Sequence, residues 1–243
     1  MYLSMFNNMK IYLMGAGLGK SDYLTQQAQQ ILHETEVLIY DALVDNGILD
    51  LVPNNCEKIY VGKRGGKSST SQSEINNLLV SYAKESKRVV RLKNGDPFIF
   101  GRAREEIEAL KAVGCDVEII PGLSSAITAP LLAGIPLTDK FLSRSFSVIT
   151  AHEPDKLDWN ALARIDTLII LMGGRNLAII VEKLLKEGKE LSFPIAIIRS
   201  AGTDEQTVWI GTLETIVEQT KGAKLSPTVM VIGDVVQLRE TFS

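Results

Sequence analysis

"VVRLKNGDPFIFGRAREE", Val89 to Glu106, decides how the chain is organised. An apolar, β-branched run ends in Asn-Gly-Asp-Pro, and past two phenylalanines and Gly-Arg a charged helical pattern begins. Asn94-Gly95 permits a turn through positive φ, and Pro97 sets the exit direction. This reads as a strand, a tight turn and a helix. Asp96 then stands at the carboxyl edge of a parallel sheet, where open α/β folds bind their ligands. Taken alone, Asp96 also suits a turn-capping aspartate.

Outward from this unit the alternation of short apolar runs with amphipathic stretches continues in both directions. Strands are expected at Lys10–Met14, Val37–Tyr40, Lys58–Val61, Val89–Leu92 and Val117–Ile120. A second set follows at Phe146–Thr150, Thr167–Met172, Ile195–Ile198, Thr207–Ile210 and Thr228–Ile232. Helical patterns lie between them, among them Tyr23–Glu34, Gln72–Lys84, Glu105–Val113, Asn176–Glu187 and Leu213–Thr220. The class is α/β with largely parallel sheets. A small-residue helix at Ser124–Ala133 ends in Gly-Ile-Pro, and the polar link Gly134–Ser145 follows. The domain boundary is expected there, giving an N-terminal lobe over 9–138, a C-terminal lobe over 145–243 and a loose extension at 1–8. "RSAGTDEQ" is too short for a crossover helix, so the strands flanking it should pair antiparallel and make the second sheet mixed.

Composition excludes several classes. With 45% hydrophobic and 23% charged residues the chain is an ordinary globular protein, and no run nears the ~20 apolar residues of a membrane span. Two cysteines, Cys56 and Cys115, and two histidines, His33 and His152, offer no metal-ligand spacing. Free thiols and the lack of a secretory-type start point to the cytoplasm, or to an organelle interior if a targeting segment has been removed. A net charge of −3 argues against nucleic acid as the main partner. Yet from Lys58 to Arg104 eleven basic residues face three acidic ones. That imbalance suits an anionic small ligand, although part of it is solvated helix face.

The first loop, "IYLMGAGLGKSDYLT" (Ile11–Thr25), fits neither familiar nucleotide motif. A P-loop needs glycine where Met14 stands, and the dinucleotide fingerprint needs glycine where Lys20 stands. The glycines permit close backbone approach, and Ser21 or Asp22 is placed to cap the following helix.

Taken together, "YLMGAGLGKSDYLT", "VLIYDALV", "VGKRGGKSSTSQSEINNLLV", "VRLKNGDPFIFGRAREEIEAL", "IIPGLSSAITAPLLAGIPLT", "TLIILMG" and "GTLETI" resemble, in order and over nearly the whole chain, the uroporphyrinogen-III C-methyltransferases. These belong to the tetrapyrrole methylases. The resemblance implies two α/β lobes with S-adenosylmethionine in the cleft between them. It implies metal-free methylation of uroporphyrinogen III at C2 and C7, giving precorrin-2 for sirohaem or cobalamin. It further implies a homodimer and a small-molecule tetrapyrrole substrate, with neither nucleic acid nor membrane as partner. Leu18, Lys20 and Asn94 depart from the family's usual proline, aspartate and glycine; Asn tolerates positive φ better than other side chains, so the turn is expected to survive.

The same resemblance assigns roles. Asp41 is the expected proton acceptor and Lys63 its proton-donating or charge-stabilising partner, with a turn residue and a carboxylate clamp as their plainer readings. Leu18, Asn94, Gly95, Asp96, Ile99, Ser124, Ser125, Met172 and Gly202 are carried over as cofactor contacts. For Ser124 and Ser125 helix capping is the simpler role, and for Met172 core packing. Lys63, Arg64, Arg91, Arg102 and Arg144 are the candidate clamps for a ring with eight carboxylates. A methylase of a later corrinoid, one acting on RNA or protein, or a non-catalytic nucleotide sensor are the alternatives.

Overall fold

The computed structural model describes residues 10–62, 70–85 and 87–242. The chain divides into two compact units, Met1–Ser124 and Ser125–Ser243. Each unit contains one five-stranded sheet.

In the first unit the strands are β1 (Lys10–Gly15), β2 (Val37–Tyr40), β3 (Glu57–Tyr60), β4 (Val89–Lys93) and β5 (Asp116–Ile120). Their order is β3-β2-β4-β1-β5 and every pairing is parallel. Successive side chains serve opposite faces. Leu38, Val90, Leu92 and Met14 pack with Ala28 and Leu32 on one side; Val37, Ile39, Val89 and Ile11 pack with Ile75, Leu79 and Leu110 on the other. A sheet covered on both faces reads as continuous apolar runs, and β4 is buried at all five positions. The helix Gln72–Lys84 begins with a capping box between Ser71 and Glu74 and buries Ile75, Leu79 and Ala83, spaced one turn apart. The helix after the glycine loop is Gln26–Leu32, capped by Thr25 Oγ1 at 3.2 Å from the Ala28 amide. Ser21 and Asp22 do not cap it; they lie in a short 3₁₀ turn, which the residues between the glycines and Thr25 need to change direction.

The second unit holds β6 (Phe146–Thr150), β7 (Thr167–Leu171), β8 (Pro194–Arg199), β9 (Thr207–Thr212) and β10 (Thr228–Ile232), ordered β6-β7-β10-β8-β9. Only β6 and β7 pair parallel; β10 runs antiparallel to both β7 and β8, and β8 to β9. The mixed sheet is therefore more antiparallel than alternation alone implies, because β10 inserts between two strands pointing the other way. One face carries Leu168, Ile170, Ile195, Ile197 and Met230 against Ile180, Leu184 and Trp159. On the C-terminal lobe's expected boundary the structure differs: the division falls at Ser124/Ser125, ahead of Gly134–Ser145. The helix Ser125–Leu132 packs on β7 and β10, so its burial belongs to the second sheet.

Candidate active site

Because all strands of the first sheet run parallel, their carboxyl ends gather on one edge. The loops leaving β1, β4 and β5 meet there through three glycines. A Cβ on Gly15 would lie 2.4 Å from the Gly95 carbonyl oxygen, and one on Gly122 would lie 2.3 Å from the same atom. No side chain fits at that spacing. Gly17 and Gly95 also exchange backbone hydrogen bonds, at 3.3 and 3.0 Å, and Ala16 donates to the Lys93 carbonyl at 2.7 Å. The glycines after β1 thus pack loop against loop. This is the physical role that neither nucleotide motif explained.

At the turn, Gly95 has φ +62°, and the Asp96 carboxylate accepts from the Phe98 amide at 2.7 Å. Asp96 is half-buried and caps its own turn. Beyond it Phe98, Ile99 and Phe100 are exposed, an apolar ledge beside the glycine rim. Leu18 is buried after β1. Gly62 sits against Ala42, the residue after Asp41; a Cβ there would be 2.2 Å from the Ala42 amide nitrogen. The loops following β2 and β3 are thereby in contact up to Gly62. Lys63 and Arg64 lie outside the described residues.

Asp41 follows β2 directly and keeps 24% of its side chain exposed. Behind it is a buried charge cluster. Arg91, 2% exposed, donates from Nη2 to Asp41 Oδ1 at 2.7 Å and from Nε to Glu106 Oε1 at 3.1 Å. Lys93 Nζ reaches the same Glu106 oxygen at 2.8 Å. Burial, then the neighbouring Arg91 charge, pushes the Lys93 ammonium below the usual lysine range, against the pull of Glu106. Arg91, expected from the sequence as a substrate clamp, is thus turned inward: its guanidinium is almost wholly buried and engages two carboxylates of the protein itself. Arg102, by contrast, is exposed but holds Glu105 through two bonds at 2.9 and 3.0 Å.

In the second unit, at the edge where β6, β7 and β8 end, Thr150 pairs with Leu171, which pairs in turn with Val229; one position further on Thr228 pairs with Arg199 and Arg199 with Thr207. Thr150 is thus one register step from Thr228 and Arg199 and serves the opposite face of the sheet. Thr150 Oγ1, Thr228 Oγ1 and Arg199 Nε are buried polar atoms without a hydrogen-bond partner. Buried polar groups are rarely left so, and the adjacent Thr228 and Arg199 mark a place for an external hydrogen-bonding molecule. Met172 follows β7 at this edge with φ +56° and 51% exposure, so it is not core. Gly202, buried at φ +81°, lies in the β8–β9 turn, its amide donating to Gln206 Oε1 at 3.0 Å. Ser125 opens the helix Ser125–Leu132, with Ser124 half-buried just before it. Arg144 is exposed; its amide is held by Asp166 Oδ2 at 3.0 Å.

Glu106, Lys93, Thr150, Thr228 and Arg199 were missed by sequence reasoning. Glu106 had a signal: it occupies the buried stripe Ala103, Glu106, Leu110, spaced three and four residues apart, where an acid is out of place. The strand-end threonines had none, since Thr is common in strands. Among the described residues no group of three or more His, Cys, Asp or Glu is placed to hold a metal, and no helix is long and apolar enough to cross a membrane.

Comparison with known proteins places this geometry. Residues 10–217 match the family described as Tetrapyrrole (Corrin/Porphyrin) Methylases. A protein of Synechococcus elongatus named uroporphyrinogen-III C-methyltransferase is 55% identical over 231 residues, covering 95% of each chain. A Methanosarcina barkeri protein named S-adenosyl-L-methionine-dependent uroporphyrinogen III methyltransferase is 43% identical, covering 95% of this chain and 93% of its own. Among solved structures, uroporphyrin-III C-methyl transferase from Thermus thermophilus, complexed with S-adenyl homocysteine, superposes with TM-score 0.81 at 35% identity, covering 94% of this chain and 99% of its own.

Proposed function

The chain belongs to the tetrapyrrole methylase family, and on that footing we infer that it methylates uroporphyrinogen III at C2 and C7, giving precorrin-2, with S-adenosylmethionine as methyl donor. When bound, the donor supplies a methyl carried on a sulfonium, which needs no metal to leave. The residues fit such a molecule. In the second unit the unpartnered atoms of Thr228 and Arg199, neighbours across β10 and β8, match the hydroxyls and ring nitrogens of a nucleoside, with Thr150 Oγ1 at the end of β6 and exposed Met172 at the same edge of the sheet. In the first unit Leu18, Asn94, Gly95, Asp96 and Ile99 lie on the loops that leave β1 and β4, and we assign them as the cofactor contacts there. Ser124, Ser125 and Gly202 complete our assignment of cofactor contacts.

The observation that carries the mechanism is Asp41, half-buried at the carboxyl edge and held at 2.7 Å by Arg91. Methylation of a pyrrole carbon leaves a cationic ring that must lose a proton. A carboxylate fixed in orientation is the group to take it, and such general bases contribute about 10²–10⁴-fold. Alignment of the reacting atoms supplies much of the rest. For the substrate's carboxylates the exposed Arg102 and Arg144 are our candidates, with Arg64 and the partner acid Lys63 assigned from the resemblance. Arg102 has to exchange Glu105 for the ligand, an inexpensive step for an exposed pair. The two buried thiols, neither in a disulfide, suit a reducing cytoplasm or organelle interior, and a homodimer is our expectation for the assembly.

Anaerobic incubation with uroporphyrinogen III and isotopically labelled S-adenosylmethionine tests the reading. Product heavier by two labelled methyl groups is expected. Methylation of a later corrinoid precursor, with uroporphyrinogen III untouched, would replace the substrate assignment.

A further inference from the structure

The charge cluster behind Asp41 has more parts than one ion pair requires. Each nitrogen of the Arg91 guanidinium has its own partner: Nε on Glu106, Nη1 on the carbonyls of Leu92 and Ile39 at 3.1 and 3.5 Å, Nη2 on Asp41. Glu106 is fully buried, and its contacts are lopsided. Arg91, Lys93 and Gln72 Nε2 all converge on Oε1, at 3.1, 2.8 and 3.3 Å, while Oε2 has no partner. A carboxylate present only to balance two buried cations would share them between its oxygens. Convergence on one oxygen instead pins the Nε end of Arg91 and leaves its far end aimed at Asp41.

We propose that Glu106 is a positioning residue for the methyl transfer: it clamps Arg91 from behind, and Arg91 holds Asp41 in one orientation at the sheet edge. The inference rests on the reading that Asp41 receives the ring proton. Removing the clamp leaves Asp41 chemically intact but loosely aimed, and misplacement of about 1 Å costs on the order of 10²-fold in rate.

The test must separate aiming from charge balance. In Glu106→Met/Lys93→Met one buried anion and one buried cation leave together, so the cluster keeps its net charge while Arg91 Nε loses its anchor. We expect kcat to fall about 10- to 100-fold, with the dissociation constant for S-adenosylmethionine by calorimetry and the thermal midpoint little changed. Glu106→Gln/Lys93→Met restores an acceptor for Nε and should recover part of the lost rate. In an Asp41→Asn background the same changes should cost almost nothing further, because they act through Asp41. A crystal structure of the double variant should show the Arg91–Asp41 contact broken. Wild-type kcat in Glu106→Met/Lys93→Met, a loss that adds in full to that of Asp41→Asn, or an unmoved Arg91–Asp41 contact would each overturn the proposal. Wild-type protein that fails to methylate uroporphyrinogen III would overturn the underlying reading as well, and that control is read first.

Discussion

Arg91 and Asp41 stand fifty residues apart, yet Nη2 of the first donates to Oδ1 of the second at 2.7 Å, linking a side chain 2% exposed to one 24% exposed. The pair carries order from the interior of β4 to the rim beyond β2. It also means that a catalytic aspartate and a structural one are distinguishable, since the two roles fail differently.

Asp41→Asn keeps the shape and still accepts from Arg91. If the residue takes the ring proton, single-turnover methyl transfer slows by about 10²–10⁴-fold while the affinity for S-adenosylmethionine holds. Parallel loss of binding and turnover would reduce Asp41 to a turn residue.

Arg91→Met should act on stability. It strands fully buried Glu106 with Lys93 alone and leaves Asp41 unpaired, and breaking a buried pair costs about 3–5 kcal/mol. Arg102→Ala removes an exposed pair and should cost less than about 1 kcal/mol. Urea unfolding of both variants checks the contrast; equal midpoints would mean that the cluster contributes no more than a surface contact.

Gly122→Ala should destabilise the first unit by about 1–3 kcal/mol through overpacking, because the new methyl would meet the Gly95 oxygen at 2.3 Å. Gly114→Ala is the control: nothing lies within 4 Å of its Cβ, and only its φ of +77° is strained. A smaller loss at Gly122 than at Gly114 would show that the rim yields easily.

What the sequence made legible follows from the range of the forces involved. The all-parallel first sheet and the turn at Asn94–Pro97 could be read because apolar runs, glycines and proline act locally. The antiparallel insertion of β10 was not readable, since the direction of a strand depends on what it returns to. Arg91 looked like a ligand clamp because nothing within β4 reveals Asp41 or Glu106, which approach from β2 and from a helix. For Met172 the sequence left cofactor contact and core packing both open; its φ of +56° and its 51% exposure, which no local pattern announces, set it outside the core.

Thr228→Val and Thr150→Val separate ligand from fold in the second unit. Neither hydroxyl has a hydrogen-bond partner, so its loss should leave stability unchanged or slightly raised. Affinity for S-adenosylmethionine should drop about 5- to 10-fold wherever the hydroxyl is a contact, the worth of roughly one hydrogen bond. Calorimetry and thermal melts decide; a loss of stability with intact affinity would remove these residues from the site.

Burial raises the thiols of Cys56 and Cys115 above their ordinary value of 9.0. The unfolded chain ionises first, so each thiol's stabilising share is complete below about pH 9 and is lost as pH climbs toward the folded value. Lys93 works in the opposite sense, so the comparison is made against Cys115→Ala. The stability gap between wild type and variant should narrow from about pH 8 to pH 10, and native thiols should alkylate more slowly than unfolded ones. A gap that widens would reverse the sign.

The meeting of Gly15, Gly95 and Gly122 has a bearing on how such a protein diverges. Any one of the three gaining a methyl would need a compensating deletion at a partner, and none has an atom to give up. The backbone spacing at these three positions therefore narrows the sequences that can close this edge to those keeping glycine at all of them.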